Sequence, residues 1–250
     1  MPFRGQVVYR LNRWLWTGID WLYPPHCGGC QNQGARWCLD CQSKTELIST
    51  SPVCSRCGIP HTQAGLCINC QTVLPHFNEL RGWAVYKGPV RQAVHRLKYK
   101  RNIGLGEVFG RRLMECVLNL HWQVDAVIPV PLGIARLAQR GYNQASLLAR
   151  PVAWGLGLDY IPQALQRVRE TRSQVELSLL ERKRNVIGAF HAKRDQVKGR
   201  RILVIDDVAT SGATIDACAT ALLESGAAYV YGLTLARAIS SQNSKIQIRR

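Results

Sequence analysis

The sequence contains no apolar run that approaches the ~20 residues needed to cross a bilayer, which excludes an integral membrane helix. It also lacks the features of a secretory signal peptide. Early arginines and a Trp/Leu cluster are followed by Asp20, which interrupts the apolar part, and by no small-residue cleavage site. These absences predict a soluble, cytoplasmic protein, and a peripheral position at the inner face of the membrane stays open.

Acidic residues are scarce as well. The 250 residues include 16 Asp and Glu against 33 Lys and Arg, and the net charge is +17. Such an excess predicts affinity for polyanions, which include both nucleic acids and phosphorylated substrates. A solvated basic surface without a partner is the alternative, because net charge says nothing about its arrangement. Apolar residues make up 46% of the chain, enough for one α/β domain with a core and a small appendage.

Cysteine, in contrast, is abundant near the start of the chain. Eight of the ten cysteines form four C-x-x-C units. A C-x-x-C turn directs two thiolates at one point, and two such units complete the tetrahedral all-sulfur site that Zn²⁺ prefers. The candidate ligands are Cys27, Cys30, Cys38, Cys41, Cys54, Cys57, Cys67 and Cys70. Disulfides and iron–sulfur clusters are the alternatives.

The short gaps within residues 27–41 and 54–70 favour sequential pairing of these units, with one ribbon in each stretch, over a cross-braced arrangement. Because protein thiolates fill all four positions of each site, no position remains for water, and both metals are predicted to be structural. Cys116 and Cys218 lie in helical patterns and are predicted to be small core residues.

The stretch "RRILVIDDVATSGAT", Arg200 to Thr214, combines a short apolar run with two adjacent acids and a loop of small residues. Ile202 to Ile205 is typical of a strand that is buried on both faces of a parallel sheet. Asp206 and Asp207 are then expected to face open water at its carboxyl end. A helical pattern follows the loop and closes with Gly226 as its C-cap.

This arrangement offers two kinds of binding group. A loop without bulky side chains lets a phosphate approach the free N–H groups of a helix start, while carboxylates accept hydrogen bonds from vicinal sugar hydroxyls. A sugar phosphate such as a phosphoribosyl compound needs both at once. The predicted ribose ligands are Asp206 and Asp207, and the predicted 5-phosphate loop is Ala209, Thr210, Ser211, Gly212, Ala213 and Thr214. The alternative is that the acid pair only ends a strand and starts a turn.

Elsewhere strand and helix patterns alternate, as a doubly wound parallel sheet requires. After the apolar run "VDAVIPVPL", Arg136 and Arg140 can reach a diphosphate at the carboxyl end of the sheet, although a solvated helix explains them equally. The charged stretch 167–190 is predicted to be a lid beside the phosphate site, with a mobile surface loop as the alternative. Residues 7–23 have the spacing of an amphipathic helix that docks on the body of the protein, with a helix that lies on a membrane as the alternative.

The Asp-Asp motif resembles, almost position for position, the signature with which type I phosphoribosyltransferases bind 5-phosphoribosyl 1-pyrophosphate (PRPP). Ala209 departs from it, since the family usually has a larger aliphatic residue there. Over nearly its whole length the sequence resembles the ComF family of competence-associated, phosphoribosyltransferase-like proteins. The resemblance rests on the paired C-x-x-C units, "LKY" at Leu97 to Tyr99, "IPVPLGIARLAQRGYNQASLLA", "RVRETRSQ", "ERKRNVIGAF" and the PRPP motif.

The resemblance implies an α/β fold, a type I phosphoribosyltransferase-like parallel sheet with helices on both faces, preceded by a small cysteine-rich double zinc ribbon. It implies that Mg²⁺ accompanies PRPP, and that the protein handles single-stranded DNA together with proteins of a DNA-uptake machinery. It also assigns two loops. The implied pyrophosphate loop contains Pro131, Leu132, Gly133, Arg136 and Arg140, and the implied flexible loop contains Arg167, Arg169 and Arg172.

The expected organisation is an N-terminal amphipathic helix (1–25), a double zinc ribbon (26–74), a phosphoribosyltransferase-like domain (75–238) and a basic tail (239–250). Two functions fit it. The first is Mg²⁺-dependent phosphoribosyl transfer from PRPP to an unknown acceptor. The second is a non-catalytic nucleic-acid or protein adaptor that senses PRPP, because the sequence identifies neither a general base nor an acceptor-binding hood. The sequence does not indicate the oligomeric state.

Overall fold

The computed structural model of the protein describes residues 24–48, 52–61, 65–169, 186 and 188–239. The predicted amphipathic helix at 7–23 and the basic tail from residue 240 lie outside the described residues, as does most of the predicted lid. None of the described helices combines the length and the hydropathy that a membrane span requires.

A five-stranded parallel sheet forms the centre of the fold, with the strand order β1-β7-β6-β2-β3. Strands β4 and β5 form a separate antiparallel pair. The strands are β1 (Glu79–Val85), β2 (Ala126–Pro129), β3 (Asp159–Tyr160), β4 (Leu165–Arg167), β5 (Phe190–Ala192), β6 (Arg201–Ala209) and β7 (Tyr229–Arg237). The helices are α1 (Leu39–Ser43), α2 (Ile68–Thr72), α3 (Gly88–Tyr99), α4 (Leu105–Leu120), α5 (Ile134–Arg140), α6 (Gln144–Leu156), α7 (Arg194–Val197) and α8 (Ala213–Glu224).

The sheet separates two apolar cores, because successive residues of a strand point to opposite faces. Along β6, Ile202 and Val204 belong to the core under α8, while Leu203 and Ile205 belong to the core under α3, α4 and α6. All four side chains are fully buried. The prediction of a parallel sheet with helices on both faces is therefore confirmed, and β6 is a strand buried on both sides.

The two cysteine ribbons dock on different faces of this sheet, near its β1 edge. Cys27 and Cys41 join the core of α3, α4 and α6, where Trp37 packs edge-on against Phe109 with ring centroids 5.0 Å apart. The second ribbon joins the core on the α8 side, and its Arg56 carbonyl oxygen accepts a 2.8 Å hydrogen bond from the Leu80 amide of β1. Together the ribbons cover the edge strand, which would otherwise expose unpaired backbone groups.

Candidate functional site

An open cavity of 230 Å³ lies at the carboxyl end of β6, where parallel α/β sheets commonly bind their ligands. The strand leads directly into a small-residue loop, and Gly212 begins α8 with a φ of +84°. This left-handed conformation favours glycine, which lets the chain turn tightly into the helix. The cavity is lined by Tyr86, Lys98, Asp206, Val208, Ala209, Thr210, Gly212, Ala213, Thr214 and Ile215.

The two aspartates do not share one environment. The expectation that both face open water is wrong for Asp207, which is only 3% exposed, whereas Asp206 is half-buried and lines the cavity. The reason is that β6 continues to Ala209 instead of ending at Ile205, so the acids occupy consecutive strand positions and point to opposite faces. The two carboxyls therefore have different partners.

Asp207 forms an ion pair with Lys98, which the last turn of α3 presents to it. The two side chains are 4% and 21% exposed. Burial alone would raise the pKa of Asp207, but the Lys98 ammonium outweighs burial and lowers it. The positive charge of Arg140 acts on Asp207 in the same direction. Asp207 is thus an ionised anchor for a lysine that lines the cavity.

Asp206 shows the opposite shift. Burial raises its pKa well above the usual value, and the neighbouring Asp207 charge raises it further. Its Oδ1 accepts a 2.8 Å hydrogen bond from the Asp207 amide. A carboxyl that resists ionisation can both donate and accept hydrogen bonds, and a sugar diol offers both kinds of partner.

The predicted phosphate loop surrounds the other end of the cavity. Of its six residues, all but Ser211 line the cavity, and the Ser211 hydroxyl instead accepts a 3.3 Å hydrogen bond from the Ala213 amide. Ala209, the departure from the family signature, is buried at the end of β6. The loop and Asp206 thus border one continuous space.

The implied pyrophosphate loop follows β2, whose carboxyl end lies beside that of β6, with Pro129 opposite Ile205. None of its five residues lines the cavity. Gly133 begins α5 and Arg140 ends it. The Arg140 guanidinium lies over the Tyr99 ring, with Cζ 4.9 Å from the centroid, and donates to Gln144 Oε1 at 2.8 Å. Arg140 is therefore held at the same edge of the sheet as the cavity.

The implied flexible loop is described only at its start. Arg167 ends β4, and its Cζ lies 5.5 Å from the centre of the Phe190 ring. Its Nε donates a 3.4 Å hydrogen bond to the Arg169 carbonyl oxygen. Arg172 lies outside the described residues.

The eight C-x-x-C cysteines form two clusters, Cys27/Cys30/Cys38/Cys41 and Cys54/Cys57/Cys67/Cys70, as sequential pairing predicts. Within each cluster the sulfurs lie within 4.8 Å of one another. The Cys30–Cys38 and Cys57–Cys67 sulfurs are 3.6 and 3.7 Å apart. Zn–S bonds of about 2.3 Å imply about 3.8 Å between the sulfurs of a tetrahedral site. All ten cysteines are free, and the spacing suits a single ion. The clusters therefore fit Zn²⁺.

Backbone amides favour the thiolate at one cysteine of each cluster, whereas burial raises the pKa of Cys41, Cys57 and Cys70. Burial alone would raise the pKa of Cys27, but amides of Cys38, Cys30 and Gly29 that donate to its sulfur lower the pKa to about 6. Cys54 behaves in the same way, with its pKa again lowered to about 6 by backbone amides despite burial. Metal-binding cysteines must be deprotonated, so this geometry suits thiolate ligation.

Lys98 and Tyr86 are the polar cavity residues that sequence reasoning did not identify as ligands. A signal for Lys98 was nevertheless present. Val90 and Val94 are buried at four-residue spacing on α3, and Lys98 occupies the next position of that buried stripe. A lysine at such a position needs a buried acid as its partner. The adjacent acids of the Asp-Asp motif on β6 are the candidates, and Asp207 is the one that pairs with Lys98.

The fold and the site define an α/β protein with a cavity beyond a parallel strand and two four-cysteine metal sites. The double zinc ribbon domain family matches residues 18–71. DNA utilization protein YhgH of Shigella flexneri is 34% identical over 208 residues, 81% of this chain and 90% of the relative. The chain therefore belongs to the ComF family, together with this relative.

Two further relatives carry names of that family. Competence protein F of Haemophilus influenzae is 28% identical over 220 residues, covering 85% of this chain and 90% of the relative. Competence protein ComFC of Bacillus subtilis is 27% identical over 208 residues, covering 80% and 83%. The resemblance stated from the sequence motifs is thus confirmed over most of the chain.

Solved structures show a more distant likeness. Glutamine PRPP amidotransferase of Bacillus subtilis aligns with a TM-score of 0.37 and 21% identity, over 52% of this chain and 26% of that one. Adenine phosphoribosyltransferase of Thermoanaerobacter pseudethanolicus aligns with a TM-score of 0.34 and 16% identity, over 65% and 92%. The family assignment rests on the sequence relatives.

Proposed function

We propose that the cavity at the end of β6 binds PRPP, with the 5-phosphate in the loop 209–214 and the ribose hydroxyls at Asp206. The observation that supports this proposal is the shared space: one cavity borders both Asp206 and the phosphate loop. Amides at the start of α8 and the Thr210 and Thr214 hydroxyls offer donors to a phosphate, while the carboxyl offers partners to the diol.

Lys98 gives this site a positive charge on a fixed support. Its ammonium pairs with the ionised Asp207, and the same side chain lines the cavity. An anionic ligand can therefore approach Lys98 while Asp207 keeps its ion pair with the same ammonium group. In this proposal Asp206 contacts the sugar and Asp207 acts only through Lys98, as a positioning residue.

Phosphoribosyl transfer is the reaction that such a complex supports. An acceptor nucleophile attacks C1 of the ribose, the bond from C1 to the pyrophosphate oxygen breaks, and pyrophosphate leaves with the bonding electrons. Bound Mg²⁺ would neutralise the charge on the departing oxygens. Arg136 and Arg140, on the helix after β2, would stabilise the leaving group from the same edge of the sheet.

Calorimetric titration with PRPP tests this proposal. We expect binding that strengthens with Mg²⁺, and an affinity about 10- to 100-fold weaker for Asp206→Ala, since the hydrogen bonds from this side chain to the ligand are lost. Asp159→Ala is the control, because Asp159 lies at the amino end of β3 and is 64% exposed. Equal PRPP affinity in wild type, Asp206→Ala and Asp159→Ala would contradict the assignment. Pyrophosphate release with a panel of amines and bases would then distinguish turnover from sensing.

We propose as a second function that the protein binds single-stranded DNA. The names of its relatives, DNA utilization protein and competence protein, and the net charge of +17 support it. A specific surface favours it as well. Trp122 stacks on Tyr231 with ring centroids 4.8 Å apart, and Tyr229, 49% exposed, lies parallel to Tyr231 at 6.4 Å. Arg201 is paired across the strands with Tyr229.

Aromatic faces beside basic groups bind unpaired bases by stacking, largely without regard to sequence. We expect fluorescence anisotropy to show binding of a labelled single strand that weakens steeply with salt. Tyr229→Ala should weaken it about 10-fold, since stacking contributes roughly 1–3 kcal/mol per base. Leu39→Ala, at an apolar residue of the first ribbon with 83% exposure, is the control. Absence of binding at low ionic strength would exclude this function, and equal losses in both variants would exclude this surface.

A further inference from the structure

Arg237 is a fully buried cation at the end of β7. It pairs in register with Val85 of β1 and Ala209 of β6, and its exposed fraction is 0%. Its Nε, Nη1 and Nη2 atoms have no hydrogen-bond partner among the described residues. A buried charge without compensation costs several kcal/mol in practice, so the fold must place negative charge close to this guanidinium.

The thiols of the second ribbon are the groups in a position to supply that charge. Burial lowers the pKa of Arg237, and the four cysteines Cys57, Cys70, Cys54 and Cys67 act against burial and raise it. Those cysteines pack in the same core as Phe77, which precedes β1, and Leu80, which lies within β1. A Zn²⁺ ion held by four thiolates carries a net charge of about −2, which a neighbouring cation partly neutralises.

The route of the side chain shows what else it touches. Arg237 Cγ lies 2.4 Å from the point where a Cβ on Gly82 would stand, so only glycine at this position of β1 leaves room for it. At its other end, Nη1 lies 3.7 Å from the corresponding point on Gly212. Gly212 is the residue that begins α8 and lines the cavity. Arg237 therefore lies directly beneath the phosphate loop.

We propose that Arg237 is the buried counter-ion of the metal–thiolate centre in the second ribbon, and that through Arg237 this centre supports the phosphate loop at Gly212. The first ribbon has no such link, because its cysteines pack on the other face of the sheet. With the metal bound, the thiolates keep the guanidinium compensated under the loop. When the metal leaves, the four sulfurs are no longer held together around one centre, so Arg237 loses its counter-ion and the loop loses its support.

Metal release from Arg237→Met tests the first part of this proposal without any phosphoribosyl ligand, so its outcome is separate from that of the proposed function. A chromogenic chelator would follow the release of zinc from the full chain. We expect one of two zinc ions to leave about 10- to 100-fold faster than in wild type, the usual effect of losing a group around the ligands of a metal. The zinc of the first ribbon is the internal control. Arg237→Lys, which keeps the charge, should restore much of the slow release.

Unchanged release of both zinc ions from folded Arg237→Met would overturn the proposal, and so would equal acceleration at both sites. If Arg237→Met does not fold, hydrogen exchange of the wild-type chain supplies the test. Chelation of both metals should accelerate amide exchange in residues 210–214, whereas Cys30→Ser, which disables only the first ribbon, should leave it slow. Unaltered exchange in residues 210–214 after chelation would overturn the link to the loop.

Discussion

The ion pair between Lys98 and Asp207 provides the sharpest test of how the site is built. Its two side chains are only 21% and 4% exposed, and Asp207 lies next to Asp206 on β6. Replacing Lys98 with Met keeps the length of the side chain but removes the charge. Asp207 then remains buried without its cation and beside a second carboxyl. The substitution thus isolates the electrostatic part of the contact.

The expected cost follows from burial. Removing one partner of a buried pair typically destabilises a protein by about 3–5 kcal/mol, because the other charge is left uncompensated. For a chain of this size each kcal/mol corresponds to about 2–4 °C in the melting temperature, so Lys98→Met should melt roughly 6–20 °C lower. The exposed pair of Lys44 and Asp40, with side chains 63% and 55% exposed, supplies the control, and Lys44→Met should melt with wild type.

A double-mutant cycle distinguishes a charge effect from a packing effect. Urea unfolding would be measured for Lys98→Met, Asp207→Asn and the double variant, all with zinc bound. If Asp207 is the charge that Lys98 compensates, Asn at 207 relieves the penalty of Met at 98, and the double variant is more stable than the two single losses predict by about 1–3 kcal/mol. Additive losses would refute the reasoning, since they would mean that the pair contributes no coupling.

Three further predictions follow from the described contacts. Burial raises the pKa of Asp206 above the usual 3.8, so its stabilising contribution is present below pH 3.8 and is lost as pH rises through the folded pKa. As pH increases, Asp206→Asn should therefore become more stable relative to wild type, by about 1 kcal/mol in urea titrations. A stability difference that does not change with pH would contradict this prediction. Gly212→Ala should lower the melting temperature more than Gly188→Ala. Both glycines have a positive φ, but only at Gly212 would the new Cβ meet a neighbour within 3.4 Å, namely Leu80 Cδ2 at 3.1 Å. Equal losses would mean that backbone strain alone decides the effect. Elemental analysis should find two zinc ions per chain and about one in Cys54→Ser, whereas iron or an unchanged count would contradict the separate sites.

Much of the fold could be predicted because it depends on local patterns. The run Ile202–Ile205 is uninterrupted and mostly β-branched, and the structure buries all four side chains between two layers of helices. The C-x-x-C spacing within residues 27–41 and 54–70 is short enough to define each four-sulfur cluster. In both cases the interacting residues are close in sequence or share one simple periodicity, so a local pattern is sufficient to predict the structure that they form.

Other features depend on contacts between distant segments. The pairing of Lys98 with Asp207 joins residues more than one hundred positions apart, and it forms only because the fold brings the last turn of α3 to the carboxyl-end half of β6. Arg237 is similar, since the end of a strand pattern gives no sign that a cysteine ribbon much earlier in the chain, at residues 54–70, acts on the charge of this side chain. Such pairs follow from the packing of whole elements, which the sequence patterns do not specify.

The division of roles between the two aspartates follows from one feature, the continuation of β6 through them to Ala209. Had the strand ended at Ile205, both carboxylates would lie in a loop, where their mutual repulsion is relieved by water and neither is fixed. On a strand, alternation turns Asp207 towards α3 and Asp206 towards α8. Asp207 can then be neutralised by Lys98, which leaves Asp206 as the single acid in the cavity. A pair of adjacent acids on a buried strand therefore predicts one acid that faces the cavity and one that faces the opposite layer, where a lysine on the neighbouring helix can pair with it.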